Sequence, residues 1–260
     1  MYFIFLGFLQ GIFEWLPLSS EGIVSTSYGI ISTVTLEQSI ALALWLHLGT
    51  SFSVLIVFRR HFYFIAKELL SNPLQPSPTL SFLLVSTLLG SIIGFTLINT
   101  LGQFPSITGP SIMGTTGILM MISGISQLRR PVHGFRSRDD LALKDSIITG
   151  LIQGISVLPG ISRSALTMSI LFHRRFDKRA TFLLNFFLSV PLSLAGALYI
   201  GITDKLLWSP EALLGAAASC LFGIISIHAL IGLASKLNVS LITIALATLM
   251  IGTTALQMAF

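Results

Sequence analysis

The stretch QGIFEWLPLSSEG, residues 10–22, brings two carboxylates, two hydroxyls, a proline and two glycines together near the start of a very apolar chain. Of the 260 residues, 53% are hydrophobic and only 10% are charged, and the mean hydropathy is +0.88. This composition indicates a polytopic membrane protein. Ionisable groups are costly inside a membrane and by default indicate function, so the polar groups of residues 10–22 are candidates for a site.

Runs of about 20 apolar residues can cross a hydrocarbon core about 30 Å thick. Six such runs predict transmembrane helices, at 39–58, 79–102, 107–127, 180–202, 211–233 and 238–258. Two further apolar regions, 1–34 and 146–172, are interrupted by LPLSSEG and LPGISRS. Proline breaks a helix, and non-helical backbone at membrane depth occurs only where it lines a cavity. Each interrupted region is therefore predicted to be a re-entrant helical hairpin.

The two interrupted regions resemble each other. The residues QGI at 10–12, followed by LP, recur as QGI at 153–155, again followed by LP. Each half of the chain then contains a hairpin and three spans, so the second hairpin enters from the opposite face and the two tips meet near the midplane. The predicted fold is an all-α polytopic membrane protein with an inverted-topology repeat. Within the single membrane domain 1–260, we predict a first repeat 1–127, a cytoplasmic linker 128–145 and a second repeat 146–260.

The basic residues test this topology independently. All but two of the 15 Lys and Arg residues lie in the connections 59–67, 129–144 and 174–179 or at Lys236, which the predicted topology puts on one side of the membrane. By the positive-inside rule that side is cytoplasmic, so both termini and the mouth of the site face the extracytoplasmic side. A net charge of +5 then requires no nucleic-acid partner. The expected location is the cell membrane, among membrane lipids.

The inverted repeat brings the polar groups of both hairpins to one predicted cavity. These groups are Glu14, Ser19, Ser20, Glu21, Ser162, Arg163, Ser164 and Thr167. An arginine fork and the free N–H groups of broken-helix N-termini suit phosphate oxygens, and a serine beside a carboxylate provides a nucleophile and a base. The alternative is structural: Glu14 and Arg163 neutralise each other as a buried pair, and the serines cap half-helices.

At these residues the chain resembles the polyprenyl (undecaprenyl) diphosphate phosphatases, the integral membrane phosphatases of bacitracin resistance. Gln10 and Glu14 match the motif (Glu/Gln)-x-x-x-Glu, and residues 16–22 match the Leu-Pro-x-Ser-Ser-x-Gly that follows it. Residues 159–167 match Pro-Gly-x-Ser-Arg-Ser-x-x-Thr. The resemblance extends over the whole chain and includes LHLGTSFSVLIVFRR and RATFLLNFFLSVP.

The resemblance implies removal of the terminal phosphate from an undecaprenyl-type polyprenyl diphosphate, which recycles the lipid carrier of cell-envelope glycan synthesis. It implies Ser20 as nucleophile, Glu14 as its base or a metal ligand, and Arg163 as the phosphate clamp. The implied substrate-binding residues are Gln10, Ser19, Gly160, Ser162, Ser164 and Thr167. A divalent cation, Mg²⁺ or Ca²⁺, is expected on Glu14, Gln10 and Glu21, because hard oxygen ligands suit these ions. The sequence does not decide whether the chain forms a homodimer.

One departure from the family pattern concerns a histidine. Many members read Ser-Ser-Thr-Gly-His where this chain reads Ser-Ser-Glu-Gly-Ile, so Ile23 occupies the place of a histidine assigned as general acid or base. His47, on the first predicted span, is a candidate substitute, although a hydrogen-bonded helix-packing role is the favoured interpretation from the sequence.

Two other functions use the same features. Inverted repeats with broken helices are also a transporter architecture, so a flippase for the same lipid is the first alternative. A purely structural membrane protein is the second. A nucleophile together with a phosphate clamp favours the phosphatase, because a flippase requires no hydrolysis.

Overall fold

The computed structural model of the protein describes residues 2–16, 19–32, 34–101, 134–156, 162–233 and 239–259, and scattered positions between 114 and 128. In these residues the secondary structure is α-helical, apart from two short 3-10 helices and one isolated β-bridge between Arg136 and Phe176. The predicted all-α class is confirmed. The helices are α1 (Tyr2–Phe13), α2 (Ser20–Ile31), α3 (Leu36–Val57), α4 (Arg59–Ser71), α5 (Pro78–Leu101), α6 (Leu143–Ile155), α7 (Arg163–His173), α8 (Lys178–Thr203), α9 (Pro210–Leu233) and α10 (Val239–Ala259).

Four of the described helices are long and apolar enough to cross a membrane. They lie at Glu37–Val57, Pro78–Leu97, Lys178–Thr203 and Pro210–Gly232, and they coincide with four of the six predicted spans. The predicted run 238–258 is helical as α10. The run 107–127 falls mostly outside the described residues. The chain is a membrane protein, and the count of six spans stays a prediction.

The predicted interruptions coincide with breaks between short helices. α1 and α2 have 12 residues each; α1 ends at Phe13 and α2 begins at Ser20. α6 has 13 residues and ends at Ile155, and α7 has 11 residues and begins at Arg163. The prolines of both interruptions are outside the described residues. All four helices are shorter than the roughly 20 residues that a full span requires.

The basic connection that follows the first span is itself a helix. α4 carries Arg59, Arg60 and Lys67, and none of its residues is buried. Its aromatic residues Tyr63 and Phe64 are each 64% exposed. A helix with basic and exposed apolar residues at the end of a span is typical of the membrane interface.

Contacts divide the chain into two compact units, Met1–Pro76 with Phe186–Gly232 and Ser77–Asn185 with Leu233–Phe260. The first unit contains α1 to α4 and α9, the second contains α5, α6, α7 and α10, and α8 contributes one end to each. Each unit therefore combines one hairpin with helices from both halves of the sequence. The predicted repeats 1–127 and 146–260 describe sequence symmetry and stay a prediction.

In the first unit, small residues on α9 allow α1 and α3 to approach closely. A Cβ added to Gly11 would lie 2.7 Å from the carbonyl oxygen of Ser219, and one added to Gly49 would lie 2.8 Å from the backbone nitrogen of Cys220. Membrane helices commonly associate through such small residues. The adjoining core consists of Leu6, Val24, Leu42, Ala43, Trp45, Leu46, Leu207 and Ala212.

In the second unit, α6 packs on α5 in a corresponding way. A Cβ added to Gly150 would lie 2.9 Å from the Cα of Ser86, and one added to Gly154 would lie 3.1 Å from the carbonyl oxygen of Gly90. The Ser86 hydroxyl donates a hydrogen bond of 2.8 Å to the carbonyl of Ser146. The packed glycines belong to GLIQG at 150–154, and those of α1 belong to GFLQG at 7–11. One five-residue pattern therefore serves both hairpins.

Candidate active site

Three side chains converge on one carboxylate oxygen in the first unit. The Ser20 hydroxyl donates a hydrogen bond of 2.7 Å to Oε2 of Glu14, and the Gln10 amide donates one of 3.0 Å to the same atom. Nε2 of His47 lies 3.1 Å from it. The sequence predicted a common site for Gln10, Glu14 and Ser20, and the structure brings these three residues together.

The local backbone explains how Glu14 and Ser20 meet. The amide of Glu14 donates to the carbonyl of Gln10 at 3.1 Å, so the two side chains share one helical face at the end of α1. After the break, the Ser19 hydroxyl accepts a hydrogen bond of 3.1 Å from the amide of Gly22 and caps α2. Ser20 is then the first residue of α2, and its side chain reaches back to Glu14.

Gln10, Glu14 and Ser20 are buried in the protein. Gln10 is fully buried, while Glu14 is 4% exposed and Ser20 is 5% exposed. Electrostatic interactions are screened much less in such an environment than in water. The hydrogen bond from the Ser20 hydroxyl to Glu14 makes Ser20 a candidate nucleophile and Glu14 its candidate base.

Hydrogen bonds to α9 fix the helices that carry the site. The Ser219 hydroxyl donates to the carbonyl of Leu46 at 2.9 Å, and the Ser226 hydroxyl donates to the carbonyl of Ile12 at 3.3 Å. Leu46 precedes His47, and Ile12 lies between Gln10 and Glu14 in the chain. α9 therefore holds the backbone next to His47 and the backbone between Gln10 and Glu14.

His47 is the residue that the sequence analysis undervalued. Its Nδ1 lies 2.8 Å from the carbonyl of Ala43, one turn earlier on α3. The packing interpretation accounts for that contact, but it does not account for the contact between Nε2 and Glu14. The signal in the sequence was a histidine inside an apolar span, and its partner Glu14 lies just after the end of a different helix, α1.

The oxygen ligands expected for a divalent cation can be compared with the structure. Oε1 of Gln10 is buried and accepts no hydrogen bond from any described residue. Glu21, in the first turn of α2, interacts electrostatically with Glu14 and His47. Among the described residues no group of three or more His, Cys, Asp or Glu could hold a metal ion. The unpartnered amide oxygen of Gln10 and the neighbouring Glu14 carboxylate are oxygen ligands of the kind Mg²⁺ uses together with water and substrate phosphate.

The candidate residues of the second hairpin lie at the start of α7. The Ser162 hydroxyl caps α7 by accepting a hydrogen bond of 3.2 Å from the amide of Ala165, and it lies 3.1 Å from the hydroxyl of Ser164. Arg163 is the first residue of the helix. Thr167 is buried, and its hydroxyl has no partner among the described residues. Gly160 lies outside the described residues.

A second buried carboxylate, Asp145 in the first turn of α6, has very different partners. Arg136 donates two hydrogen bonds to it, of 3.1 and 2.6 Å, and Nε of Arg174 donates one of 2.6 Å. Burial favours the neutral acid, but the bonds from Arg136, the Ala142 amide and Arg174 outweigh it and hold the pKa of Asp145 below its ordinary value. Hydrogen bonding to Asp145 raises the pKa of Arg136. We call these three side chains the Asp145 latch.

The helices that can cross a membrane, together with a buried serine and a partly buried histidine that both contact one buried glutamate, describe a polytopic membrane protein with a candidate reactive centre at Ser20. The family model described as Bacitracin resistance protein BacA matches residues 3–253. The chain belongs to this family, which confirms the resemblance found in its motifs.

Curated relatives carry a common name. A protein from Methanococcoides burtonii, named undecaprenyl-diphosphatase, is 33% identical over 253 residues, which cover 95% of each chain. A protein of the same name from Methanopyrus kandleri is 36% identical over 193 residues, 74% of this chain and 71% of the relative. One from Haloarcula marismortui is 29% identical over 237 residues, 88% of each chain.

Proposed function

We propose that the chain hydrolyses an undecaprenyl-type polyprenyl diphosphate to the monophosphate and inorganic phosphate, and so returns the lipid carrier to cell-envelope glycan synthesis. The observation that carries the proposal is the 2.7 Å hydrogen bond from Ser20 to the buried Glu14. Membership of the BacA family and relatives named undecaprenyl-diphosphatase supply the substrate class.

The proposed reaction has two steps. In the first, Oγ of Ser20 attacks the terminal phosphorus, and the bridging P–O bond breaks. The hydroxyl proton passes to Glu14 and then to the departing polyprenyl monophosphate. In the second, Glu14 takes a proton from water, the water oxygen attacks the phosphoserine, and the proton returns to Ser20 as inorganic phosphate leaves. The hydrogen bond from Ser20 to Glu14 already joins the donor and the acceptor of the first proton transfer.

Arg163 is proposed as the cation that binds the terminal phosphate. It is the first residue of an 11-residue helix, where free backbone N–H groups and the helix dipole favour an anion. Its planar fork can bind two phosphate oxygens at once. Ser164 and Thr167 are proposed as additional donors to the same phosphate.

A divalent cation, Mg²⁺ or Ca²⁺, is proposed on Glu14, Gln10 and Glu21. The unpartnered Oε1 of Gln10 supports this set, because a buried amide oxygen without a donor is suited to a hard cation. When bound, the cation would neutralise negative charge on the diphosphate. Gln10 would contribute its oxygen while its amide nitrogen continues to hold Glu14.

Phosphate release by the purified protein tests the function. The protein in detergent is incubated with undecaprenyl diphosphate and Mg²⁺, and inorganic phosphate is measured for the wild type and for Ser20→Ala. We expect release by the wild type and none by the variant. A folded wild-type protein that releases no phosphate but moves the lipid across vesicle membranes would replace the phosphatase with a flippase.

The finer architecture is also a proposal: an inverted repeat in which α1–α2 and α6–α7 are re-entrant hairpins. The matching GFLQG and GLIQG glycines support it, because each hairpin packs on a long helix through the same positions. The length of the four hairpin helices also supports it, since each is too short to span.

The orientation that follows from the positive-inside rule places both termini and the site on the extracytoplasmic side of the cell membrane. It can be tested in a Cys220→Ala background, since Cys220 is the only cysteine in the sequence. Phe135 is 81% exposed in the basic linker, and Glu211 is exposed at the start of α9. In intact cells an impermeant thiol reagent should label Glu211→Cys and not Phe135→Cys. The reverse pattern would contradict the outward-facing site.

A further inference from the structure

We propose that His47 is a positioning residue for the reaction at Ser20. The inference rests on the proposed phosphatase function. It concerns how the Glu14 carboxylate is held, and it does not require His47 to touch the substrate.

The imidazole ring of His47 is fixed from one side by its own helix. Because the carbonyl of Ala43 can only accept, the Nδ1 atom that lies 2.8 Å from it carries a hydrogen. This contact sets the ring orientation and directs Nε2 at Oε2 of Glu14, 3.1 Å away. Because Oε2 also accepts from Ser20 and Gln10, Nε2 is the donor of this hydrogen bond, which joins α3 to the residue that follows α1.

This hydrogen bond reaches the carboxylate oxygen that also contacts Ser20. Oε2 of Glu14 is the same oxygen that accepts the Ser20 hydroxyl and the Gln10 amide. A glutamate side chain has several rotatable bonds, and partners from three helices that meet at one oxygen hold it in a single orientation. That orientation presents the carboxylate to the Ser20 proton, and misplacement by 1 Å can cost about 100-fold in rate.

The backbone on both sides of His47 is held by α9. Ser219 binds the carbonyl of Leu46, and Gly49 packs against the backbone of α9. Gly11, three residues before Glu14, packs on the same helix. The separation between His47 and Glu14 is therefore set by a rigid element, as an oriented site requires.

A second histidine shows what helix packing alone requires. Nδ1 of His228 lies 2.8 Å from the carbonyl of Ile224, one turn earlier on α9. This is the same local contact that His47 makes to Ala43, and it needs only one ring nitrogen. The Nε2 contact of His47 to Glu14 is additional, and His228 provides a matched control for the loss of the local contact.

The experiment measures kcat and KM for phosphate release by the wild type and by His47→Leu, His47→Gln and His228→Leu, with thermal stability recorded for each. Leucine removes both ring contacts, whereas glutamine can still offer an N–H donor at the reach of Nε2. We expect kcat of His47→Leu to fall by about 10- to 100-fold, as is typical for the loss of a residue that orients a reacting group. KM should change by less than about twofold. His47→Gln should recover most of the loss, and His228→Leu should match the wild type.

Each outcome has one meaning. Wild-type turnover by folded His47→Leu would overturn the inference, and so would a glutamine variant as slow as the leucine variant, because the required group would then be more than a donor. If His47→Leu does not fold, His47→Asn replaces it, since its shorter amide stays polar but cannot reach Oε2. An inactive wild type would instead contradict the proposed phosphatase function, on which the inference depends.

Discussion

The helix pairs α1–α2 and α6–α7 are capped in the same way, but their second helices begin with different side chains. In each, a serine hydroxyl caps the second helix, Ser19 for α2 and Ser162 for α7. The next residue is the first of its helix, and it is Ser20 in one hairpin and Arg163 in the other. The proposed nucleophile and the proposed phosphate clamp therefore occupy equivalent positions on one scaffold.

The polar residues near the ends of the first helices, α1 and α6, also differ. Gln10 donates to Glu14 four residues later, whereas four residues after Gln153 the sequence has Val157. Gln153 is buried, and neither of its amide atoms has a partner among the described residues. The comparison teaches that the repeated glycines and caps belong to the scaffold, while the sequence places a carboxylate beside the proposed nucleophile in the first hairpin alone.

The largest effect is expected from Glu14→Gln. The variant keeps the size of the side chain but removes the proton acceptor of Ser20, and loss of a general base costs about 10²- to 10⁴-fold in rate. Phosphate release should be lost at every concentration of Mg²⁺ or Ca²⁺. A folded and active Glu14→Gln enzyme would remove Glu14 from the mechanism.

Arg163→Lys tests the equivalent group of the second hairpin. Lysine keeps the charge and loses the bidentate fork, so we expect a folded protein that has lost about 3 kcal/mol of transition-state stabilisation. The measurement is kcat/KM for phosphate release, with Arg179→Lys as a control outside the hairpin. Near-normal turnover of Arg163→Lys would make Arg163 a structural residue.

Asp145→Asn tests a feature of the second hairpin that α1 lacks, since the first turn of α1 contains no acidic residue. Removing one partner from a buried ion pair leaves the other charges uncompensated, so the variant should lose about 3 kcal/mol of stability at neutral pH. Phosphate release per folded molecule should be unchanged.

The pH dependence of this loss has a defined sign. The pKa of Asp145 is lower in the folded protein than its ordinary value, so its contribution is present above that ordinary value, about 4, and is lost as the pH falls through the folded-state value. The difference in melting temperature between wild type and Asp145→Asn should therefore shrink below about pH 4. A constant difference would show that the Asp145 latch does not act through the carboxylate charge.

The two caps should respond equally if the scaffold is shared. Ser19→Ala and Ser162→Ala should each lower the free energy of unfolding by about 1 kcal/mol, measured by thermal denaturation in detergent. Asparagine caps helices about as well as serine, so Ser19→Asn and Ser162→Asn should restore most of that loss. Unequal losses, or recovery at one site only, would break the structural equivalence of the hairpins.

The smallest effect is expected from Glu21→Gln. Glu21 follows Ser20 in the first turn of α2, where its negative charge stabilises the helix through the dipole. The variant should keep measurable activity and require more Mg²⁺ or Ca²⁺ for half-maximal phosphate release. A folded but inactive Glu21→Gln enzyme would place this carboxylate among the groups that contact the reacting atoms.

The sequence predicted the features that depend on local composition. Long apolar runs predicted α3, α5, α8, α9 and α10, and the Pro-Ser and Pro-Gly interruptions predicted both broken helix pairs. The four-residue spacing of Gln10 and Glu14 predicted their shared face, which the hydrogen bond confirms. The basic residues at 59–67 predicted only a cytoplasmic connection, whereas the structure forms the helix α4 there.

The features that the sequence analysis missed depend on tertiary contacts. His47 meets Glu14 only because α1 and α3 both pack on α9, and the small residues that allow this are far apart in the chain. Asp145 meets Arg174 across 29 residues, so the basic connections do not reveal which of their charges is buried. The GFLQG and GLIQG repeats were the available signal for the packing, because glycines four residues apart mark close helix contacts.

The hydrogen bond from Ser20 to Glu14 also bears on covalent inhibition. The serine hydroxyl directs its proton at the carboxylate, so the oxygen would meet an incoming electrophile with its proposed base already in place. A phosphonate or boronate warhead on an isoprenoid tail would use the same proton path that we propose for the substrate. An inhibitor of this type would depend on the Ser20 and Glu14 pair for its reaction and on the tail for its selectivity.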